Sequence, residues 1–384
     1  MLLLLILACD RPCTDLDCDG AADLVFAQFH DSPEGGESTV FFGGPDGFTR
    51  SLGLPTLGAM GAAVGDLNQD DWPDVVFANT SVGEGSRRLD SVVYWNGPGG
   101  LDPAARTLLP TVGAADVTLA DLDGDGHLEV IFPNRYDGET YDVDSMIYWG
   151  SPDGPDEGDV TLLPTDGASR AATGDLDQDG DVDLVFSQFN LGGGVSVIYW
   201  NEGGFDPEQR TELPTALCEG VEVLDADGDG WLDLAFASWC AVSGCGVPSP
   251  IYRGGPEGFS EEDRVELDTR GPSDIEARDL NEDGHLDLVL TNGPFEEDVV
   301  SQVLWGPDWD REDPLPTEGG AQSGTADLDG DGILDVVFAN FYGPAGAAEQ
   351  SVVYLGDEDG FDADRALHLP TPGGAAAVAV APGR

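Results

Sequence analysis

The stretch DLDGDGHLEVIF, residues 121–132, joins two features that together decide the fold. Its first nine residues carry four carboxylates, at positions 1, 3, 5 and 9. Like charges this close repel each other, so the arrangement indicates a bound cation. The stretch then turns apolar, and the run VIF (residues 130–132) is typical of a short strand buried on both faces.

The same acidic loop is written seven times along the 384 residues. The copies begin at Asp15, Asp66, Asp121, Asp175, Asp225, Asp279 and Asp327, which are 48 to 55 residues apart. Each copy leads into an apolar strand, then a second strand such as SVVYWNG (residues 91–97). A third strand ends in Leu-Pro-Thr in six copies, and residues 267–269, Leu-Asp-Thr, are the exception. A fourth, rich in small residues as in GASRAATGD (residues 167–175), precedes the next loop and suits a crowded innermost position.

Seven repeats of four antiparallel strands predict an all-β fold, a seven-bladed β-propeller over residues 15–384. The first repeat has no small-residue strand of its own, whereas the segment after Thr371 has one but no acidic loop after it. We therefore predict that this C-terminal strand supplies the inner strand of blade 1 and reaches Ala381 at the position of the loop Asp. Such a closure leaves no open sheet edge.

The loop pattern Asp-x-Asp/Asn-x-Asp-Gly-x-x-Asp predicts calcium ligands. Alternate carboxylates point inward from a tight turn, Gly permits the turn, and the carbonyl at position 7 and the acid at position 9 complete a set of hard oxygens. The predicted side-chain ligands are Asp15, Asp17, Asp19 and Asp23; Asp66, Asn68, Asp70 and Asp74; Asp121, Asp123, Asp125 and Glu129; Asp175, Asp177, Asp179 and Asp183; Asp225, Asp227, Asp229 and Asp233; Asp279, Asn281, Asp283 and Asp287; and Asp327, Asp329, Asp331 and Asp335. Up to seven Ca²⁺ ions of structural role are expected. The alternative is that some loops are metal-free turns, and the second, with Asp71 in place of Gly, is the weakest.

The loops, the S-V-x-Y-W-G strand and the Gly-x-x-Gly-Phe hairpins resemble the FG-GAP/VCBS repeat family over residues 15–381. That family includes the propeller heads of integrin α subunits and bacterial surface proteins. The resemblance implies a non-catalytic, surface-tethered adhesion or binding module for a glycan or protein ligand, and we expect a monomer. Related calcium-loop propellers include polysaccharide lyases, so a calcium-dependent lyase-like enzyme is the alternative. The chain has no Lys and only four His to serve as a base, which favours binding.

Charge and the N-terminus bear on partners and location. With 75 acidic and 15 basic residues the net charge is −60, which excludes nucleic acid and an anionic membrane surface as partners and suits cations or a solubilising surface. Residues 1–8 resemble a signal peptide, and Ile6-Leu7-Ala8-Cys9 resembles a bacterial lipobox, with residues 9–14 as a short tether. We therefore predict export, to the cell surface or outer membrane as a lipoprotein anchored at Cys9, or to the extracellular space.

The cysteines agree with an oxidising compartment. Cys13 and Cys18 flank the first acidic loop, and Cys218, Cys240 and Cys245 belong to one later repeat. Two local disulfides are expected, with free buried thiols as the alternative and the pairing left open.

A ring of amides could form a ligand face opposite the loops. Thirteen residues after each first Asp stand Gln28, Asn79, Asn134, Gln188, Ser238, Asn292 and Asn340. With neighbouring aromatics such as Trp239, they suit a sugar or peptide ligand; the predicted ligand-binding residues are Gln28, Asn79, Asn134, Gln188, Trp239 and Asn340. The alternative is that the amides cap strand ends or bond the neighbouring blade.

Overall fold

The computed structural model describes residues 12–30, 32, 34–81, 87–189, 194–239, 247–293, 300–343, 346–357 and 360–383. Within these ranges the chain forms seven four-stranded antiparallel sheets, which confirms the predicted β-propeller. No helix of the described ranges is long and apolar enough to cross a bilayer.

Each blade runs from an inner strand at the channel to an outer strand at the rim. The strands in that order are Ala375–Ala381, Asp23–Gln28, Gly36–Phe42 and Arg50–Thr56 in blade 1; Ala59–Gly65, Asp74–Asn79, Arg88–Tyr94 and Arg106–Val112 in blade 2; Thr118–Ala120, Glu129–Phe132, Ser145–Tyr148 and Val160–Leu163 in blade 3; and Ala168–Gly174, Asp183–Gln188, Val195–Asn201 and Phe205–Pro214 in blade 4. They are Cys218–Leu224, Asp233–Ser238, Ser249–Tyr252 and Arg264–Leu267 in blade 5; Pro272–Arg278, Asp287–Asn292, Ser301–Trp305 and Arg311–Leu315 in blade 6; and Gly320–Ala326, Asp335–Asn340, Gln350–Tyr354 and Leu367–Pro370 in blade 7. Minor elements are the strand pairs Tyr342–Gly343 with Gly346–Ala347 and Gly356–Asp357 with Gly360–Phe361, and the 3-10 turns Glu261–Asp263 and Ala363–Arg365.

The C-terminal strand closes blade 1, as the sequence predicts. Ala381 pairs with Asp23, the equivalent of the pair between Gly65 and Asp74 in blade 2. Ala381 therefore stands one residue before the loop-Asp position, not on it as predicted. The cause is one extra residue in the turn from Thr371 to the strand, which contains two glycines with φ of +91° and +88°.

Counted from the channel, the second strand of each blade is buried on both faces because its alternate side chains enter two different blade interfaces. In blade 2, Val75 and Phe77 pack with blade 1, whereas Val76 and Ala78 pack with blade 3. Full burial of each such large side chain contributes about 1.5–3 kcal/mol, so these strands hold neighbouring blades together. The inner strands are as crowded as their small residues suggest: a Cβ on Gly61 would lie 2.5 Å from the Asp116 carboxylate of the next blade.

Tyrosine hydroxyls connect neighbouring blades at the outer strands. Each donates a hydrogen bond to the carbonyl of the Leu-Pro-Thr proline in the preceding blade; the pairs are Tyr94–Pro55, Tyr148–Pro110, Tyr199–Pro164, Tyr252–Pro214 and Tyr354–Pro316. Where Asp268 replaces that proline, the equivalent residue of the next blade is Leu304 rather than Tyr. The repeated Tyr and Pro are thus one interblade contact.

Candidate functional site

The acidic loops are held in shape by their own backbone. In the sixth loop, Asp283 N and Gly284 N donate to the Asp279 carboxylate at 3.0 and 2.9 Å, and His285 N donates to Asp283 Oδ1 at 2.9 Å. The amide oxygen of Asn281, at position 3, also accepts a bond from Asp283 N at 2.9 Å. The carboxylates at positions 1 and 5 are therefore already oriented by the turn.

Two loop positions require a left-handed backbone, and only one of them, position 6, is evident from the sequence. At position 6 the six glycines have φ between +87° and +101°, and Asp71 of the second loop has φ of +69°. Position 4 is also left-handed in every loop, at Cys18, Gln69, Gly124, Gln178, Gly228, Glu282 and Gly330. Because only three of these are Gly, the pattern at position 4 is not visible in the sequence.

The acid at position 9 anchors the loop to the sheet. Asp183 Oδ2 accepts a bond from Leu176 N at 3.0 Å, and its Oδ1 accepts one from Asn201 N at 2.9 Å. The equivalents in all seven blades are buried and make the same two backbone contacts. Burial raises the pKa of Asp23 and Asp74 to about 7 and that of Asp183 and Asp335 to about 6, so a nearby cation would favour their charged form.

Carboxylate oxygens converge in several of these loops. The groups that offer ligand atoms within 4.8 Å of one another include Asp15, Asp17 and Asp19; Asp121, Asp123 and Glu129; Asp175, Asp177 and Asp183; and Asp225, Asp227 and Asp229. Asp177 and Asp179 form a further group with Glu202, a residue of the next hairpin that the sequence analysis did not include. Of the four named groups that belong to predicted ligand sets, two include position 9.

The residues present fit a hard divalent cation. Among the described residues, Asp17 Oδ1, Asp121 Oδ1 and Asp175 Oδ1 are buried oxygens without a hydrogen-bond partner. Arg50 contacts Asp17, and Arg253 lies 3.3 Å from Asp227 Oδ2, so positive charge already approaches two loops. An all-oxygen set with buried, unpartnered carboxylate atoms suits Ca²⁺ better than Zn²⁺. The residues that would hold it are those at positions 1, 3, 5 and 9.

The structure describes three of the six cysteines. Cys13 and Cys18 form a disulfide that links position 4 of the first loop to the residue two before the loop begins. Cys218 is buried and free, with its Sγ 3.7 Å from Ser238 Oγ. Cys9, Cys240 and Cys245 lie outside the described residues.

The ring of amides is buried. The six amide side chains are at most 4% exposed. Four of these amides donate from Nδ2 to a backbone carbonyl near the start of the strand that is third from the channel, and their backbone N–H donates to a Ser hydroxyl of that strand. They are Asn79, Asn134, Asn292 and Asn340. That Ser is paired in turn with the Thr of Leu-Pro-Thr, as in Ser91 and Thr111 at 2.8 Å. These contacts are those of strand-end caps, and ligand binding by the amides stays a prediction.

A cavity of about 540 Å³ opens at the channel mouth, on the face opposite the acidic loops. Its lining includes Met60, Arg135, Glu219, Trp239, Phe341 and Tyr342, together with small residues at the starts of the inner strands. Of the predicted ligand residues, Trp239 is in this lining. The cavity is therefore built mainly of aromatic and small side chains, with few polar groups.

The charged groups of this cavity are paired with each other. Arg135 makes a two-pronged contact with Glu219, at 3.0 and 2.8 Å, and stacks over the Phe189 ring at 4.1 Å. At the floor, Arg170 reaches across the channel to Asp116 at 3.1 Å and Asp274 at 3.4 Å. Burial raises the pKa of Asp116 to about 6, although Arg170 opposes the shift.

Comparison with known proteins agrees with the repeat and the fold. Residues 66–132 and 175–236 match the FG-GAP-like repeat family. No curated protein sequence matches the chain. A crystal structure of a protein from Lactobacillus plantarum is similar over 94% of this chain and 98% of that chain, with 12% identity and a TM-score of 0.57. Raptor from Chaetomium thermophilum is similar over 94% of this chain and 27% of that chain, with 14% identity and a TM-score of 0.51.

At these identities the likeness to solved structures shows the fold alone. The family match, the seven loops and the seven closed sheets agree on one assignment. The chain is a seven-bladed β-propeller that contains FG-GAP-like repeats.

Proposed function

We propose that this propeller is an exported, calcium-stabilised binding module that takes a glycan or protein ligand at its channel mouth without chemical turnover. The observation that carries the proposal is the cavity of about 540 Å³, which lies within the range of ~300–1,000 Å³ usual for ligand sites. It is open on the face away from the acidic loops. The loops would then serve stability and leave the other face for recognition.

Calcium is the cation that the loop chemistry favours. The buried, unpartnered oxygens of Asp17, Asp121 and Asp175 support it, since such atoms are costly unless a cation or donor satisfies them. The Cys13–Cys18 disulfide supports export, because disulfides persist in oxidising compartments. The lipid anchor at Cys9 belongs to the same proposal and would be tested by mass spectrometry of the mature N-terminus.

Binding without turnover is favoured by the state of the charged groups. Glu219 is engaged by Arg135, and Asp116 and Asp274 share Arg170, so each of the three carboxylates contacts a guanidinium. A general base needs to reach a substrate proton with a free lone pair in suitable geometry. Paired carboxylates at a channel floor are better suited to rigidity than to proton transfer.

The experiment is a screen of the purified chain against a glycan array and an extracellular protein panel, in 1 mM Ca²⁺ and in EGTA. We expect retention of a defined ligand set in Ca²⁺ and its loss in EGTA, with no shortened products by mass spectrometry. Cleaved or unsaturated products would assign the cavity to catalysis. Equal binding and equal thermal stability in EGTA would refute the role of calcium.

A further inference from the structure

We propose that the channel-mouth cavity binds a neutral saccharide, which stacks on Trp239 and hydrogen-bonds to Ser169 and to the Arg135–Glu219 pair. This inference rests on the proposed function and names the ligand class of the same cavity. Three observations carry it: the paired charges, an unpartnered hydroxyl and the aromatic wall.

The paired charges select a neutral ligand. Both guanidinium groups of the cavity already face carboxylates, Arg135 with Glu219 and Arg170 with Asp116 and Asp274. An anionic ligand would have to displace a carboxylate from Arg135 or Arg170 and leave that partly buried carboxylate unpaired, which is strongly unfavourable. A hydroxyl group needs no such exchange, because it donates to a spare carboxylate lone pair and accepts from a spare guanidinium N–H.

The unpartnered hydroxyl belongs to Ser169. Its side chain lines the cavity and is 3% exposed, and within the described residues its Oγ has no hydrogen-bond partner. Ser273 holds the equivalent place on the inner strand of blade 6 and lines the same cavity. Its Oγ, however, bonds to the carbonyls of Thr291 at 3.0 Å and Gly320 at 2.9 Å. The fold therefore leaves the Ser169 hydroxyl without a partner, whereas it uses the Ser273 hydroxyl.

The aromatic wall suits the apolar face of a sugar ring. Trp239 lines the cavity from blade 5, where Phe189 contacts it with a ring-centre distance of 5.3 Å, and Phe341 and Tyr342 line it from blade 7. Aromatic side chains offer a large apolar surface with little conformational entropy to lose. A sugar can place its flat C–H face against these rings and direct its hydroxyl groups toward Ser169 and the Arg135–Glu219 pair. It would then contact both the aromatic and the polar residues of the lining.

The net charge of the chain also favours a neutral ligand over an acidic one. At −60 it repels polyanions at long range, so acidic polysaccharides would approach against an unfavourable potential. Neutral polymers experience no such barrier. This distinguishes the proposed ligand from the uronate-rich glycans that the same aromatic surface would otherwise accept.

The test is calorimetric titration of the full chain in 1 mM Ca²⁺ with neutral hexasaccharides of glucose, mannose, galactose and xylose, and with oligogalacturonate and heparin fragments. We expect saturable binding of at least one neutral sugar and at least about tenfold weaker binding of the acidic probes. Ser169→Ala should weaken the neutral sugar about two- to twelvefold, the effect of one hydrogen bond, without lowering the melting temperature.

Ser273→Ala is the matched control, since it removes the same atom at the equivalent position. It should lower the melting temperature and weaken the neutral sugar less than Ser169→Ala does. Trp239→Ala should weaken binding more than about tenfold. Tighter binding of the acidic probes, equal losses of affinity in the two Ser variants, or no sugar binding by the wild type would each overturn the inference. If the wild type binds no sugar, retention of a protein ligand in the screen described under Proposed function would still support the proposed function.

Discussion

At the scale of single residues, the seven acidic loops differ most in the cost of their backbone conformation. Position 6 is left-handed in every loop, and Asp71 adopts there a φ of +69° that glycine adopts elsewhere at little cost. A side chain at φ above zero costs on the order of 1 kcal/mol, and somewhat less for Asp than for most residues. The second loop therefore carries at position 6 a strain that the other loops lack at this position.

We predict that Asp71→Gly stabilises the protein by about 0.5–1 kcal/mol, because it relieves this strain more than it loosens the unfolded chain. The measurement is urea unfolding at saturating Ca²⁺. Gly180→Ala is the matched control at position 6 of the fourth loop. A Cβ there would meet nothing within 4 Å, so its expected cost of about 1 kcal/mol is conformational alone. A destabilised Asp71→Gly variant would contradict the argument.

Residue-scale features were only partly readable from the sequence. Alternating acids and Gly at position 6 repeat in the chain and could be predicted. The left-handed position 4 could not, since Cys18, Gln69, Gln178 and Glu282 hide it. Glu202 could not either, because the fold and not the loop spacing brings it beside Asp177 and Asp179.

At the scale of strands and blades, the repeated Tyr and Pro act as one contact between neighbours. Tyr148 OH donates to the Pro110 carbonyl of the preceding blade, and burial raises the pKa of Tyr148 to about 12. Without the hydroxyl, the proline carbonyl would lose its bond in a partly buried place. The Leu-Pro-Thr and Y-W motifs are visible in the sequence. Their contact joins two neighbouring blades, so it could be recognised only in the folded structure.

We predict that Tyr148→Phe lowers the free energy of unfolding by about 0.5–1.5 kcal/mol, the net value of one hydrogen bond. Chemical denaturation would measure it. Tyr136→Phe is the control, because the Tyr136 hydroxyl bonds to the carbonyl of Gly138 in its own loop and not to another blade. Equal losses in the two variants would argue against a special interblade role.

At the scale of the whole molecule, we expect the proposed calcium ions and the buried channel acids to set the stability. With Ca²⁺ at ~1 mM and Kd of ~10–100 μM, each occupied loop adds about 1.4–2.7 kcal/mol by linkage. The sum over several loops rivals the ~5–15 kcal/mol of an ordinary domain. The sequence could predict which loops bring carboxylates together, whereas the anchoring of position 9 by two backbone N–H groups required the structure.

We predict that EGTA lowers the melting temperature markedly and that Mg²⁺ restores little of it, because Mg²⁺ demands a smaller octahedral site. Calorimetric titration of Asp177→Ala should show one Ca²⁺ fewer than the wild type. Asp181→Ala, at position 7 where the backbone supplies the ligand, should keep the full number. An unchanged melting temperature in EGTA would remove the basis for structural calcium.

A second whole-molecule prediction concerns pH. Burial and the neighbouring Glu276 and Asp274 raise the pKa of Glu222 to about 8, with Arg278 opposing the shift. The folded state therefore binds a proton that the unfolded state releases near its ordinary pKa, so stability falls as pH rises from about 4.5 to about 8. Glu222→Gln should be more stable than the wild type at pH 8–9 by on the order of 1–3 kcal/mol and similar to it near pH 5.

The measurement is the melting temperature against pH, at fixed Ca²⁺. The exposed Glu208→Gln variant serves as the control and should follow the wild-type curve throughout. A Glu222→Gln curve parallel to the wild type would show that this carboxyl does not govern the slope.

Closure of blade 1 by the last strand also governs when the ring can form. Gln28 bonds through Nε2 to the carbonyl of Pro372, 344 residues later in the chain. During synthesis the strand Asp23–Gln28 has an open edge until almost all of these residues have been made. Folding is slow when it depends on contacts between residues that are so far apart in the sequence. A circular permutant that places residues 372–383 ahead of residue 12 would make that pairing local. It should refold faster than the natural order while forming the same ring.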